Sequence, residues 1–93
     1  MHIAVVGLSH RTAPVEVREK LSIAEQNLES SFKALKAIDQ VIEVSILSTC
    51  NRLEIYTLVN NPDEGISAIN EFLLNYSELT SDQLLPHLFS FSQ

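Results

Sequence analysis

The sequence predicts an α+β fold, and three observations predict it. Apolar residues alternate with polar ones at 41–48 and again at 53–59, the period of a strand. Apolar residues spaced three and four apart mark helices before and after that pair. The segments then follow in the order strand, helices, strand, strand, helix, strand. That is the split β-α-β-β-α-β arrangement of a ferredoxin-like domain, a four-stranded antiparallel sheet with helices on one face. Residues 1–93 read as a single domain, because a chain of this length supports one core and little more.

Residues 2–9 open the chain as a strand. Ile3, Ala4, Val5, Val6 and Leu8 make a nearly continuous apolar run, the pattern of a strand covered on both faces, and Gly7 suggests a bulge or a close backbone approach. A loop over 9–14 leads into a short helix, with Thr12 as its cap and Pro14 in its opening turn, where a missing N–H costs nothing. Val15, Val17 and Leu21 give this helix an apolar side, and Glu16 and Lys20 form a pair four apart. Ser22-Ile23-Ala24-Glu25 reads as a capping box. The helix it starts carries Leu28, Phe32, Leu35 and Ile38 on one side and ends near Asp39-Gln40.

In the next strand Ile42, Val44 and Ile46 alternate with Glu43 and Ser45. After a short gap, Leu53, Ile55 and Thr57 alternate with Glu54, Tyr56 and Leu58, so an antiparallel hairpin is the simplest connection. Asn60-Asn61-Pro62-Asp63-Glu64 supplies a cap, an opening proline and acids at the positive end of a helix dipole. Ile66, Ile69, Phe72, Leu73 and Tyr76 line the inner face of that helix. Thr80-Ser81-Asp82-Gln83 starts one more turn, broken by Pro86, and Leu88, Phe89 and Phe91 read as a last strand.

Composition narrows the function. The formal charge is -6, with six Lys and Arg against twelve Asp and Glu, so independent tight binding to a phosphate backbone is disfavoured. One cysteine excludes an internal disulfide and suits a reducing compartment. The start lacks the basic leader of a signal peptide, and no apolar run is long enough to span a bilayer, so a cytoplasmic location is expected. Two glycines provide neither a dinucleotide fingerprint nor a Walker-type loop. One Cys and three scattered His give no zinc spacing, and no metal is expected.

Cys50 stands out. It falls in Ser48-Thr49-Cys50-Asn51-Arg52, between the two strands of the hairpin and two residues from a guanidinium. A nearby cation favours the thiolate, which is the reactive form, and Asn beside a turn favours tight, exposed geometry. A lone cysteine serves equally well as a small core residue, so both readings stand at this point. His10 is a candidate proton donor, since it and Cys50 each follow a strand whose ends can share one edge of the sheet, with those strands paired or close together. Its other reading is a loop or capping residue. Arg52 can grip a carboxylate with its planar fork, or it can simply pair with Glu54. His2 and His87 border apolar strands and read as structural, and Glu43 and Glu54 as solvent-facing strand residues.

Three blocks carry a family resemblance: Gly7-Leu8-Ser9-His10-Arg11-Thr12-Ala13-Pro14, Arg18-Glu19-Lys20-Leu21, and Leu47-Ser48-Thr49-Cys50-Asn51-Arg52-Leu53-Glu54-Ile55-Tyr56. In register along essentially the whole chain they resemble the N-terminal part of glutamyl-tRNA reductases, and the Ser-Thr-Cys-Asn-Arg block is specific to that family. The resemblance implies a cytoplasmic enzyme of tetrapyrrole synthesis that reduces glutamyl-tRNA to glutamate-1-semialdehyde with NADPH. It implies Cys50 as the nucleophile that forms a thioester, and Thr49, Asn51 and Arg52 as the substrate-recognition block, Arg52 facing the glutamyl carboxylate. Family members are several times longer. The NADPH-binding domain and the helical domain through which they form homodimers lie outside this region, so the chain reads as a fragment. The histidine that many members carry after the last strand falls at or next to Gln93. A non-catalytic ferredoxin-like interaction or regulatory module is the alternative reading.

Overall fold

Alternation along the strands decides which side chains face the helices. In the computed structural model, which describes all 93 residues, the chain runs β1 (His2–Ser9), α1 (Val15–Leu21), α2 (Glu25–Lys36), β2 (Val41–Ser48), β3 (Arg52–Val59), α3 (Pro62–Ser77), α4 (Ser81–Leu84), a 3-10 turn at Leu85–His87 and β4 (Phe89–Ser92). The four strands form one sheet in the order β2-β3-β1-β4, every neighbouring pair antiparallel. This is the ferredoxin-like arrangement the element order predicts. One detail differs. β1 and β2 run in the same direction but do not pair, because β3 lies between them, giving one edge to its hairpin partner and the other to β1. Their ends nevertheless meet at the same edge of the sheet.

Ala4, Val6 and Leu8 of β1, with Leu53, Ile55 and Val59 of β3, are shut away from solvent. They pack against Leu21, Leu35, Ile69, Leu73 and Leu84 from the helices, α2 lying over β2 and α3 over β1. Thr57 is the polar exception on this face, and its hydroxyl donates to the Ala4 carbonyl at 2.8 Å. The helices cover one face only. The apolar run of β1 predicts cover on both, yet Ile3 is half exposed, as are Tyr56 on β3 and Phe91 on β4. A continuous apolar run therefore marks an apolar open face here, not a second layer.

Gly7 makes no bulge, since its register with β3 is continuous. It is a close approach: a Cβ there would fall on the Leu53 carbonyl oxygen and lie 3.2 Å from Glu54 Cα. The irregularity is instead in β2, between Val41 and Glu43. That shift buries Val41 and Val44 together and leaves Ile42 only partly covered.

Several helix ends depart from the sequence expectation. Asn61 caps α3 as expected, accepting from the Glu64 N–H at 3.1 Å with Pro62 as the first helical residue, and Thr80 and Gln83 cap α4 reciprocally. Ser22, however, closes α1, its N–H reaching the Arg18 carbonyl. Ile23 is drawn into the core, so α2 begins two residues later on Ala24 with no side-chain cap. Pro14, not Thr12, occupies the N-cap of α1. α2 ends at Lys36, short of Asp39, and its buried line runs through Ser31 and Leu35 while Phe32 faces solvent. Glu16 and Lys20 form no ion pair; the chain's three pairs lie elsewhere.

Candidate functional site

The β2–β3 hairpin turns over Thr49, Cys50 and Asn51, and threonine chemistry shapes it. The Thr49 N–H donates to the Arg52 carbonyl at 2.8 Å. Its hydroxyl oxygen accepts from the Asn51 and Arg52 N–H groups, both at 3.2 Å. Every amide from 49 to 52 thus has a protein acceptor except that of Cys50. Cys50 sits at the tip and is exposed, which removes the core-filler reading.

Three neighbouring segments hold this turn. The His10 N–H donates to the Asn51 carbonyl at 2.8 Å, so His10 and the cysteine turn do share one edge of the sheet. The Ile23 N–H donates to Ser48 Oγ at 3.0 Å, tying the α1–α2 junction to the end of β2. The Arg18 guanidinium reaches across from α1, its Nη1 lying 3.4 Å from the Cys50 carbonyl oxygen. The His10 loop is itself braced: the Ser9 N–H donates to Thr12 Oγ1 at 2.9 Å, and His87 Nδ1 lies 3.0 Å from the Thr12 carbonyl. A carbonyl only accepts, so His87 holds its proton on Nδ1. His87 is structural, as its position in the sequence suggests. His2 is exposed at the far end of β1, away from the turn.

Arg52 points along the open face. One guanidinium nitrogen lies 3.6 Å from the carboxylate of Glu54, a side chain that is largely covered at 14% exposure. The Tyr56 hydroxyl donates to the same carboxylate at 2.7 Å, and this bond, with the negative charge behind it, pushes the phenol above its ordinary value. Arg52, Glu54 and Tyr56 form a wired row leading from the cysteine turn along the sheet. Glu54 is therefore not the free solvent-facing residue expected from alternation, whereas Glu43 is exposed and pairs with Lys36 at 2.8 Å.

Neither Cys50, Asn51 nor Arg52 lines a concavity of the chain, so the sulfur stands open to approach. No three His, Cys, Asp or Glu side chains converge as a metal-ligand group. Arg18 and Ser48 are site neighbours that periodicity and spacing do not reveal. Arg18 lies 32 residues from Cys50, and only the fold brings the two together.

Fold and site define a ferredoxin-like domain that presents its one cysteine on a braced hairpin tip beside an arginine-headed sheet face. Comparison with known proteins makes this specific. Residues 6–93 match the family described as glutamyl-tRNAGlu reductase, N-terminal domain, and the chain belongs to that family. It is 69% identical over all 93 residues to a glutamyl-tRNA reductase of Prochlorococcus marinus (strain NATL2A). A glutamyl-tRNA reductase of Synechococcus sp. (strain CC9902) is 68% identical over 91 residues, 98% of this chain. In both cases the chain spans 21% of the relative's length. Among solved structures, Rv0793 from Mycobacterium tuberculosis superposes with a TM-score of 0.53 at 12% identity, covering 100% of this chain and 93% of that one. That likeness concerns the fold. No helix is long and apolar enough to cross a membrane.

Proposed function

We propose that this chain is the thioester-forming part of an NADPH-dependent glutamyl-tRNA reductase of tetrapyrrole synthesis. The observation that carries the reading is the exposed Cys50, held on its tip by three segments inside a family-specific block. In the reaction, Cys50 Sγ attacks the ester carbonyl of glutamyl-tRNA. The S–C bond forms, the C–O bond to the ribose breaks, and the thiol proton ends on the departing ribose oxygen. A thiol suits this work because it is strongly nucleophilic and splits one hard acyl transfer into two easier steps. His10 beside the turn is the candidate carrier of that proton. Thr49 and Asn51 shape the tip, and Arg52 receives the glutamyl carboxylate, exchanging part of its contact with Glu54 for the substrate.

Hydride delivery belongs outside these residues. Gly7 is pressed against the Leu53 carbonyl and Gly65 against the Val59 side chain, so neither glycine opens a phosphate-binding turn, and the chain's own residues do not fit NADPH. Cofactor binding, homodimerisation and most tRNA contacts are assigned to the remainder of a full-length reductase, in keeping with the acidic charge here. A cytoplasmic setting follows from the same reading.

The test is transfer of radiolabelled glutamate from glutamyl-tRNA to the protein. The unsubstituted chain is expected to carry hydroxylamine-labile label, and Cys50→Ser none. Label that persists in Cys50→Ser, or its absence from the unsubstituted chain, overturns the proposal. The open apolar face, with Phe91 65% exposed, favours a second reading as an interaction module. Under that reading Cys50→Ser leaves partner binding and any cellular effect intact.

A further inference from the structure

We propose that Arg18 is a positioning residue for acyl transfer, fixing the turn so that the Cys50 backbone N–H stabilises the oxyanion formed when Cys50 is acylated. The inference rests on the thioester reading above and adds to it a donor and the residue that aims it.

The Cys50 N–H is the one amide between Thr49 and Arg52 without a protein acceptor. It belongs to the same residue as the attacking sulfur. Attack on an ester carbonyl places negative charge on the carbonyl oxygen, and a pre-aimed backbone N–H is the usual means of stabilising it. Such a donor acts only if the turn that carries it is held still. On the other side of the same residue, the Cys50 carbonyl accepts from no backbone N–H. Its protein donor is Arg18 Nη1 at 3.4 Å.

Arg18 is an odd choice for mere stability. Its Nε is buried without a hydrogen-bond partner, an arrangement that costs free energy. It forms no ion pair, a property it shares with Arg11 and Lys20, so the buried Nε is what sets it apart. Departures of this kind concentrate where a site is being held in place. The Ile23–Ser48 bond at 3.0 Å fixes the base of the turn from the same helical corner, so Arg18 acts from a rigid support on the tip alone.

The experiment compares two reactions of one thiol. p-Nitrophenyl acetate acylates Cys50 through an oxyanion, and iodoacetamide alkylates it without one. Arg18→Gln is expected to slow acylation by about tenfold, a smaller loss than deletion of an oxyanion donor itself, while alkylation and the thermal midpoint stay unchanged. Arg18→Lys, which keeps a donor but loses the planar fork, is expected to recover part of the rate. Equal acylation in Arg18→Gln and the unsubstituted chain overturns the inference. So does a parallel fall in both reactions, which means that Arg18 acts on the sulfur or on folding. Because the ester probe needs no tRNA, failure of glutamyl-tRNA to label the protein counts against the substrate reading and leaves this comparison readable.

Discussion

The two faces of the sheet are built from the same strands and do opposite work. On the covered face Val6, Ile55 and Val59 are sealed under the helices. On the open face of the same sheet, Ile3, Tyr56 and Phe91 are 50%, 43% and 65% exposed. The covered side holds the fold together, and the open side carries the Arg52–Glu54–Tyr56 row that leads to the cysteine turn. Stability and the proposed chemistry are thus separated by a single step of strand alternation. Substitutions on adjacent residues should therefore pull the two properties apart.

The widest separation is expected between Cys50 and Ile55. Cys50→Ser is expected to abolish glutamyl transfer yet move stability by less than about 0.5 kcal/mol, since the site is exposed and away from the core. Ile55→Ala, at a position with 0% exposure, is expected to cost roughly 2–5 kcal/mol. At about 4–8 °C per kcal/mol for a domain of this size, the thermal midpoint falls far enough to leave much of the chain unfolded. Calorimetry of the two variants checks the contrast. A large loss of stability in Cys50→Ser would show that the turn is part of the core's support.

Gly7 tests where the two faces interfere. Its Cα is turned to the open side, yet a methyl there meets the Leu53 carbonyl and the ring of Phe89 at 3.0 Å. Gly7→Ala is expected to force β1 and β3 apart at a cost of about 1–3 kcal/mol, measured by urea denaturation. Because β3 leads back to the turn, the same change should also reduce acylation of Cys50. A variant as stable as the parent would mean that the strands yield at this point.

Much of this was legible in the sequence because strand and helix periods are local. The bounds of β1 and β2, the Asn61 cap and the hairpin all follow from residues within a few positions of one another. What was not legible depends on distant partners. Ser22 looks like the start of a capping box until the core claims Ile23 and Ser48 takes the Ile23 N–H. The open face of β1 is hidden because Val5 and Val6 are equally apolar, and only the position of the helices tells them apart. At the site, Cys50, Asn51 and Arg52 stand together in the chain, whereas Arg18 and the bracing His87 arrive from 32 and 75 residues away from their partners. The sequence leaves Arg52 two partners, and the fold supplies Glu54.

The smallest expected effect probes the wiring of the open face. The Tyr56 phenol is held above its ordinary 10.0 first by its hydrogen bond to Glu54, then by loss of water contact and the Glu54 charge, with Arg52 opposing. A raised value means that the fold favours the protonated phenol. Its contribution is therefore complete below the unfolded value near 10 and is lost as pH rises through the folded one. Stability near neutral pH therefore contains it in full and does not vary with pH on its account, whereas the ultraviolet absorbance of tyrosinate follows the titration directly. In a Tyr76→Phe background, Glu54→Gln keeps an acceptor for the phenol while removing the charge, and it should return the titration toward the ordinary value. Arg52→Gln should move it further up, because the opposing cation is gone. If both substitutions leave the curve in place, the row is not electrostatically coupled, and Arg52 would be free to meet a carboxylate without first being drawn from Glu54.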